Sequence, residues 1–160
     1  MRKSIILFVL IGIVSIYGQD VNSYIELLRS DIKTEKKAII TEVMQFTDKE
    51  ASDFWTIYRE YELELDKNGD KRVGFIKDFA ENYMNMTDEK ADQIMENAFD
   101  FREERLELKK DLYNDLKDKI GSAKSAKFIQ VEHQIQLLID LQINSELPLL
   151  EKTAEEEKVE

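Results

Sequence analysis

The sequence predicts an all-α protein: an elongated bundle of about four helices, two of them long and central, with no strands. Three observations lead there. Apolar residues recur every three or four positions through four long segments, the period of an amphipathic helix. Helix-breaking residues are sparse, with one proline, Pro148, and glycines only at Gly12, Gly18, Gly69, Gly74 and Gly121. Charged residues make up 36% of the chain and cysteine is absent, so stability rests on packed helix faces and not on disulfides.

The N-terminus comes first. Arg2 and Lys3 precede an apolar run at 5–16, broken only by Gly12 and Ser15, and Gly18 then stands before the polar Gln19 and Asp20. This is the layout of a secretory signal peptide. The run is too short to cross a hydrocarbon core of about 30 Å comfortably as a helix, which disfavours the alternative of an uncleaved anchor. The chain therefore reads as a signal peptide at 1–18, a single helical domain at 19–150 and a charged, disordered tail at 151–160. Export predicts a periplasmic protein with no stable membrane insertion after cleavage. The net charge of −11 becomes more negative when Arg2 and Lys3 leave with the leader. Such a surface disfavours nucleic acid and anionic lipid headgroups, and accepts basic or apolar partners.

The first helix is predicted at 21–44, with Ile25, Leu28, Ile32, Ile39 and Val43 in phase. The second opens after Thr47, an N-cap, with Glu50 closing a capping box and Asp48 beside the positive helix end. Its stripe is Phe54, Tyr58, Tyr61, Leu65, Asn68, Arg72, Ile76, Phe79 and Tyr83. The third opens after a second N-cap, Thr87. It carries Ala91, Ile94, Ala98, Phe101, Arg105, Leu108 and Leu112, with a flanking stripe of Met95, Phe99, Leu106, Tyr113 and Leu116. The fourth follows Gly121 and Ser122, with Phe128, Val131, Ile135, Leu138 and Ile139 in phase. The two central helices would be about 54 and about 48 Å long at ~1.5 Å per residue. So little chain in helices this long makes a thin layer, which leaves apolar surface for a second copy or a partner.

Chemistry-bearing motifs are few. The segment 66–70, Asp-Lys-Asn-Gly-Asp, resembles the start of a calcium loop. However, Lys71 stands where the turn needs glycine, and Lys77 where the ion needs a bidentate carboxylate. The apolar stripe continues on both sides, so a helix passing through, with a kink at Asn68-Gly69, is the better reading. Met84 and Met86 alone are a weak set for copper(I), and one histidine, His133, cannot complete a di-iron or catalytic set. No cofactor, metal or enzymatic activity is expected.

Three charges interrupt apolar stripes: Arg72, Arg105 and Glu132. Charges on such faces need partners, which predicts an inter-helix ion pair that fixes register; the functional alternative is a polar spot on a binding face. Phe54, Trp55, Tyr58, Tyr61, Phe99 and Leu106 form a candidate client or dimer face. Trp55 is equally consistent with core.

The two helix starts, Phe46-Thr47-Asp48-Lys49-Glu50 and Met86-Thr87-Asp88-Glu89-Lys90, resemble the repeated Leu-Thr-x-x-Gln motif of the Spy/CpxP family of periplasmic helical proteins. Phe46 and Met86 replace its Leu, and Glu50 and Lys90 its Gln. The stretches 46–61, 72–83, 124–132 and 147–149 are similar to short exported proteins of Bacteroidota, some of them labelled Spy/CpxP-like or sensors linked to extracytoplasmic sigma factors. The resemblance implies an ATP-independent holdase chaperone or envelope-stress accessory that binds unfolded or envelope proteins. The alternative is a regulatory sensor that binds one specific partner of a sigma-factor system. Family chaperones often use a basic concave face.

Overall fold

The computed structural model describes residues 20–145, Leu147 and Leu149, with side chains from Ile32 onward. The expected signal peptide at 1–18 and tail at 151–160 lie outside the described residues. All described secondary structure is helical.

The chain groups into two compact units, Met1–Glu42 and Val43–Glu160. The described element of the first is helix α1, Asp20–Met44, whose last two residues belong to the second unit. The second unit holds α2 (Asp48–Asn82), a 3-10 turn (Tyr83–Asn85), α3 (Asp88–Ile120) and α4 (Ser122–Ser145). With 35 and 33 residues, α2 and α3 are each about 50 Å long at ~1.5 Å per residue, which makes this unit elongated.

Local chemistry sets the helix ends. Thr47 caps α2. Its hydroxyl accepts the Glu50 N–H at 3.4 Å, and Glu50 Oε2 accepts the Thr47 N–H at 3.0 Å. These reciprocal bonds satisfy donors that the first helical turn leaves unpaired. Thr87 caps α3 through a hydroxyl that accepts the Lys90 N–H at 3.2 Å. Gly121 sits at φ 82° between α3 and α4, donating its N–H to the Lys117 carbonyl at 3.1 Å. A Cβ there would strain the backbone. Gln45, after α1, adopts φ 47° without that freedom.

Cross-helix contacts give the topology of the second unit. Asp78 meets Lys90 while Asn68 meets Phe101, so α2 and α3 run antiparallel. Glu50 meets Lys124, Tyr61 meets Glu132 and Arg72 meets Asp140, so α4 runs parallel to α2. The apolar core lies toward the start of α2. There Phe54, Phe128 and Leu116 are fully buried, and the Phe54 ring lies 4.8 Å from Phe128, edge to face. Aromatic pairs of this geometry add about 0.5–1.5 kcal/mol beyond area burial. Toward the other end Phe75 packs on Phe101 at 5.6 Å.

Two local expectations meet a structural answer. α2 is one continuous helix through Asn68 and Gly69, so the segment 66–70 is helical and does not form a calcium loop. α4 is rotated from its expected phase. It buries Ser125, Phe128, Glu132 and Gln136, while Val131, Ile135 and Ile139 are half-buried and Leu138 is exposed. The reason is polar: Glu132 and Asp140 meet Tyr61 and Arg72 of α2, Gln136 between them bonds Asp140, and all three lie at four-residue spacing on one side of α4.

Candidate functional site

Midway along the second unit, α2, α3 and α4 enclose a polar cluster. Asn68, buried on α2, donates through Nδ2 to the Phe101 carbonyl of α3 at 3.0 Å, and its Oδ1 accepts from Arg105 Nε at 3.4 Å. The guanidinium groups of Arg72 and Arg105 converge on one carboxylate, Asp140 of α4. Arg72 NH1 donates to Oδ1, and Arg105 NH1 reaches both oxygens at 3.3 and 3.4 Å. Gln136 Nε2 donates to Asp140 Oδ1 at 3.0 Å. The Phe101 ring lies 4.2 Å from Arg105 Cζ and 5.7 Å from Arg72 Cζ, a cation–π arrangement with both. Glu132 lies further along α4, accepting the Tyr61 hydroxyl at 3.0 Å.

The electrostatics follow from these contacts. Partial burial pushes the Asp140 carboxyl up, but the Arg72 hydrogen bond and the charge of Arg105 outweigh it and hold the group below the ordinary aspartate range. Burial lowers Arg105, and Asp140 offsets part of that. Burial, then the Glu132 charge, raises both Tyr58 and Tyr61, so Tyr61 stays a donor. At the start of α2, the Lys124 ammonium and the Thr47 N–H and hydroxyl bring Glu50 down to about 2.

Arg72 and Arg105 are thus brought together across helices, and their shared carboxylate is Asp140. Glu132 sits beside Tyr61 instead. Sequence reasoning missed Asp140 and Gln136. The available signal was the four-residue ladder Glu132, Gln136, Asp140, a polar stripe opposing two stripe arginines.

The candidate client or dimer residues separate into two groups. Phe54, Tyr58 and Tyr61 are buried against Phe128 or Glu132, and Trp55 is half-buried with its ring 4.9 Å from Phe54. These four line or flank the core. Phe99 and Leu106 are exposed on α3, with Met95 on the same stripe. Leu137, Leu138 and Leu141 are exposed on α4. Leu106 and Leu137 line a common groove of about 250 Å³ whose walls include the arginine cluster. Met84 is exposed and Met86 buried, and His133 lies at the groove. Among the described residues no helix is long and apolar enough to cross a membrane.

Comparison with protein-family models, curated proteins and solved structures finds no match.

Proposed function

We propose that this chain is an exported, non-enzymatic helical protein of the envelope. In this reading it holds unfolded or envelope proteins against an apolar helical face without ATP, as a chaperone or stress-response accessory. The observation that carries the reading is the orientation of α4. That helix turns Glu132 and Gln136 inward and leaves Leu138 and Leu141 69% and 67% exposed. Phe99 on α3 is 59% exposed as well. Exposed apolar surface of this kind marks an interaction site more often than an accident.

Burial of one such side chain by a client contributes about 1.5–3 kcal/mol, offset by lost motional freedom, so several weak contacts give reversible binding. The negative net charge, −11 for the whole chain and more negative without the leader's Arg2 and Lys3, keeps a loaded complex soluble and favours basic clients. Export rests on the charged start, short apolar run and Gly18, and N-terminal sequencing of the periplasmic form should find a start near Gln19.

The functional test is light scattering of a chemically unfolded protein. Stoichiometric mature protein should slow its aggregation, and the double variant Phe99→Glu/Leu138→Glu should lose that protection at unchanged helicity. No protection of several unrelated clients, basic ones included, would overturn the holdase reading and favour a regulator with one specific partner.

A further inference from the structure

We infer that Asn68-Gly69, in the middle of α2, is a self-modifying site that the folded chain holds silent and that unfolding releases. Asn68 is the only asparagine of the chain followed by glycine. The backbone nitrogen after an asparagine can attack the side-chain carbonyl carbon, Cγ. A five-membered succinimide forms, and the side-chain nitrogen leaves as ammonia. Water then opens the ring at either carbonyl, giving aspartate or isoaspartate. One water enters and one ammonia leaves, with no co-reactant besides water. Glycine favours the attack, because it has no side chain to crowd its nitrogen and leaves the backbone free to turn.

The fold blocks each requirement. α2 is continuous from Asp48 to Asn82, so helical pairing commits the Gly69 N–H to the carbonyl four residues back. Helical dihedrals at Asn68 hold that nitrogen away from Cγ. The asparagine is 3% exposed, which keeps water from it, and its amide is tied on both sides. Nδ2 donates to the Phe101 carbonyl at 3.0 Å and to Glu104 Oε2 at 3.3 Å, and Oδ1 accepts from Arg105 Nε at 3.4 Å. The open chain has none of these restraints. Asparagine and glycine rank low in helix interiors, and the pair favours turns once α2 is undone.

Neither product fits the place that Asn68 fills. An ionised aspartate offers acceptors only. At position 68 it would set a carboxylate against the Phe101 carbonyl and the Glu104 carboxylate, where Asn68 presents a donor. Only the Arg105 contact would survive. Isoaspartate carries an extra carbon in the main chain, which puts the hydrogen-bond ladder out of step in mid-helix. A chain modified while unfolded therefore loses the joint between α2 and α3, and the change runs one way. The inference is independent of the proposed client face and concerns the chain by itself.

The test is incubation of the full mature chain at mildly alkaline pH, in native buffer and in guanidinium chloride, with conversion read by peptide mass spectrometry and isoaspartate methyltransferase labelling. In denaturant Asn68 should convert at least tenfold faster than Asn97 or Asn114, and Gly69→Ala should slow it at least tenfold. In native buffer Asn68 should convert at least a hundredfold more slowly than in denaturant, because the unfolded fraction of a folded protein is about 10⁻³ or less. It should also convert no faster there than Asn97, which is exposed on α3. On dilution from denaturant, the fraction that regains full helicity by circular dichroism should fall in step with unmodified Asn68. The Asn68→Asp variant should unfold at lower denaturant concentration than wild type. Comparable conversion of Asn68 in native buffer and in denaturant would overturn the inference. So would conversion no faster than Asn97 in denaturant, or a wild-type unfolding midpoint for chains modified at Asn68.

Discussion

Removing the Asp140 carboxylate should destabilise the protein far more than removing an exposed carboxylate of the same charge. The side chains of Arg72 and Arg105 are only 10% and 13% exposed, and Asp140 is the carboxylate that both pair with. Deleting one partner of a buried ion pair costs about 3–5 kcal/mol, because the other charge is left buried and uncompensated. Asp140 itself is 32% exposed, so solvent screening reduces the expectation for Asp140→Ala to about 2–3 kcal/mol. The control is Glu64→Ala, which breaks the exposed pair with Lys67 and should cost under about 0.5 kcal/mol. Urea unfolding at neutral pH measures both. Replacing the whole cluster, Arg72→Met/Arg105→Met/Asp140→Leu, should recover most of the loss, since no buried charge then lacks a partner. The pH dependence has a definite sign. The folded Asp140 pKa is depressed, so its contribution is complete above the unfolded value of about 3.9 and disappears as pH falls through the lower folded value. Wild type should therefore lose stability below about pH 4 more steeply than Asp140→Ala. If Asp140→Ala costs no more than Glu64→Ala, the cluster does not hold the three helices in register.

Other expectations are narrower. The Glu50 side chain should titrate at about 2 by NMR, against 4.5 for a free glutamate; its stabilisation is present above 4.5 and lost as pH falls through about 2. Thr47→Ala should cost about 1 kcal/mol by thermal unfolding through loss of the cap. Gln45→Gly should gain about 1 kcal/mol, because glycine adopts φ 47° without steric cost. Millimolar calcium should not raise the melting temperature; a rise of several degrees that disappears in Asp66→Ala would restore the dismissed calcium loop.

The helices and their starts were legible because they depend on local rules. Thr47 and Thr87 each precede an acidic first turn, and Gly121 interrupts an otherwise unbroken helical pattern. The phase of α4 was not legible from apolar periodicity. Its apolar residues surround most of the helix, so the cross-helix partners of Glu132 and Asp140 decide which side turns inward. The candidate face had the same difficulty. Phe54 and Phe99 are equally apolar, but Phe54 is covered by the rings of Phe46, Trp55, Tyr58 and Phe128, whereas Phe99 stays exposed. The stripe arginines were legible as needing partners, whereas the identity of the partner required the alignment of α4 beside α2.

The central claim, that the exposed apolar surface of α3 and α4 receives clients, is tested most directly by site-specific photo-crosslinking. A photoreactive residue is placed in turn at Phe99, at Leu138 and at the exposed polar Asp115 of α3, and each protein is irradiated with a chemically unfolded client. The account predicts strong adducts from positions 99 and 138 and little from 115. Equal crosslinking at all three positions, or none at 99 and 138 under conditions where aggregation is suppressed, would contradict it.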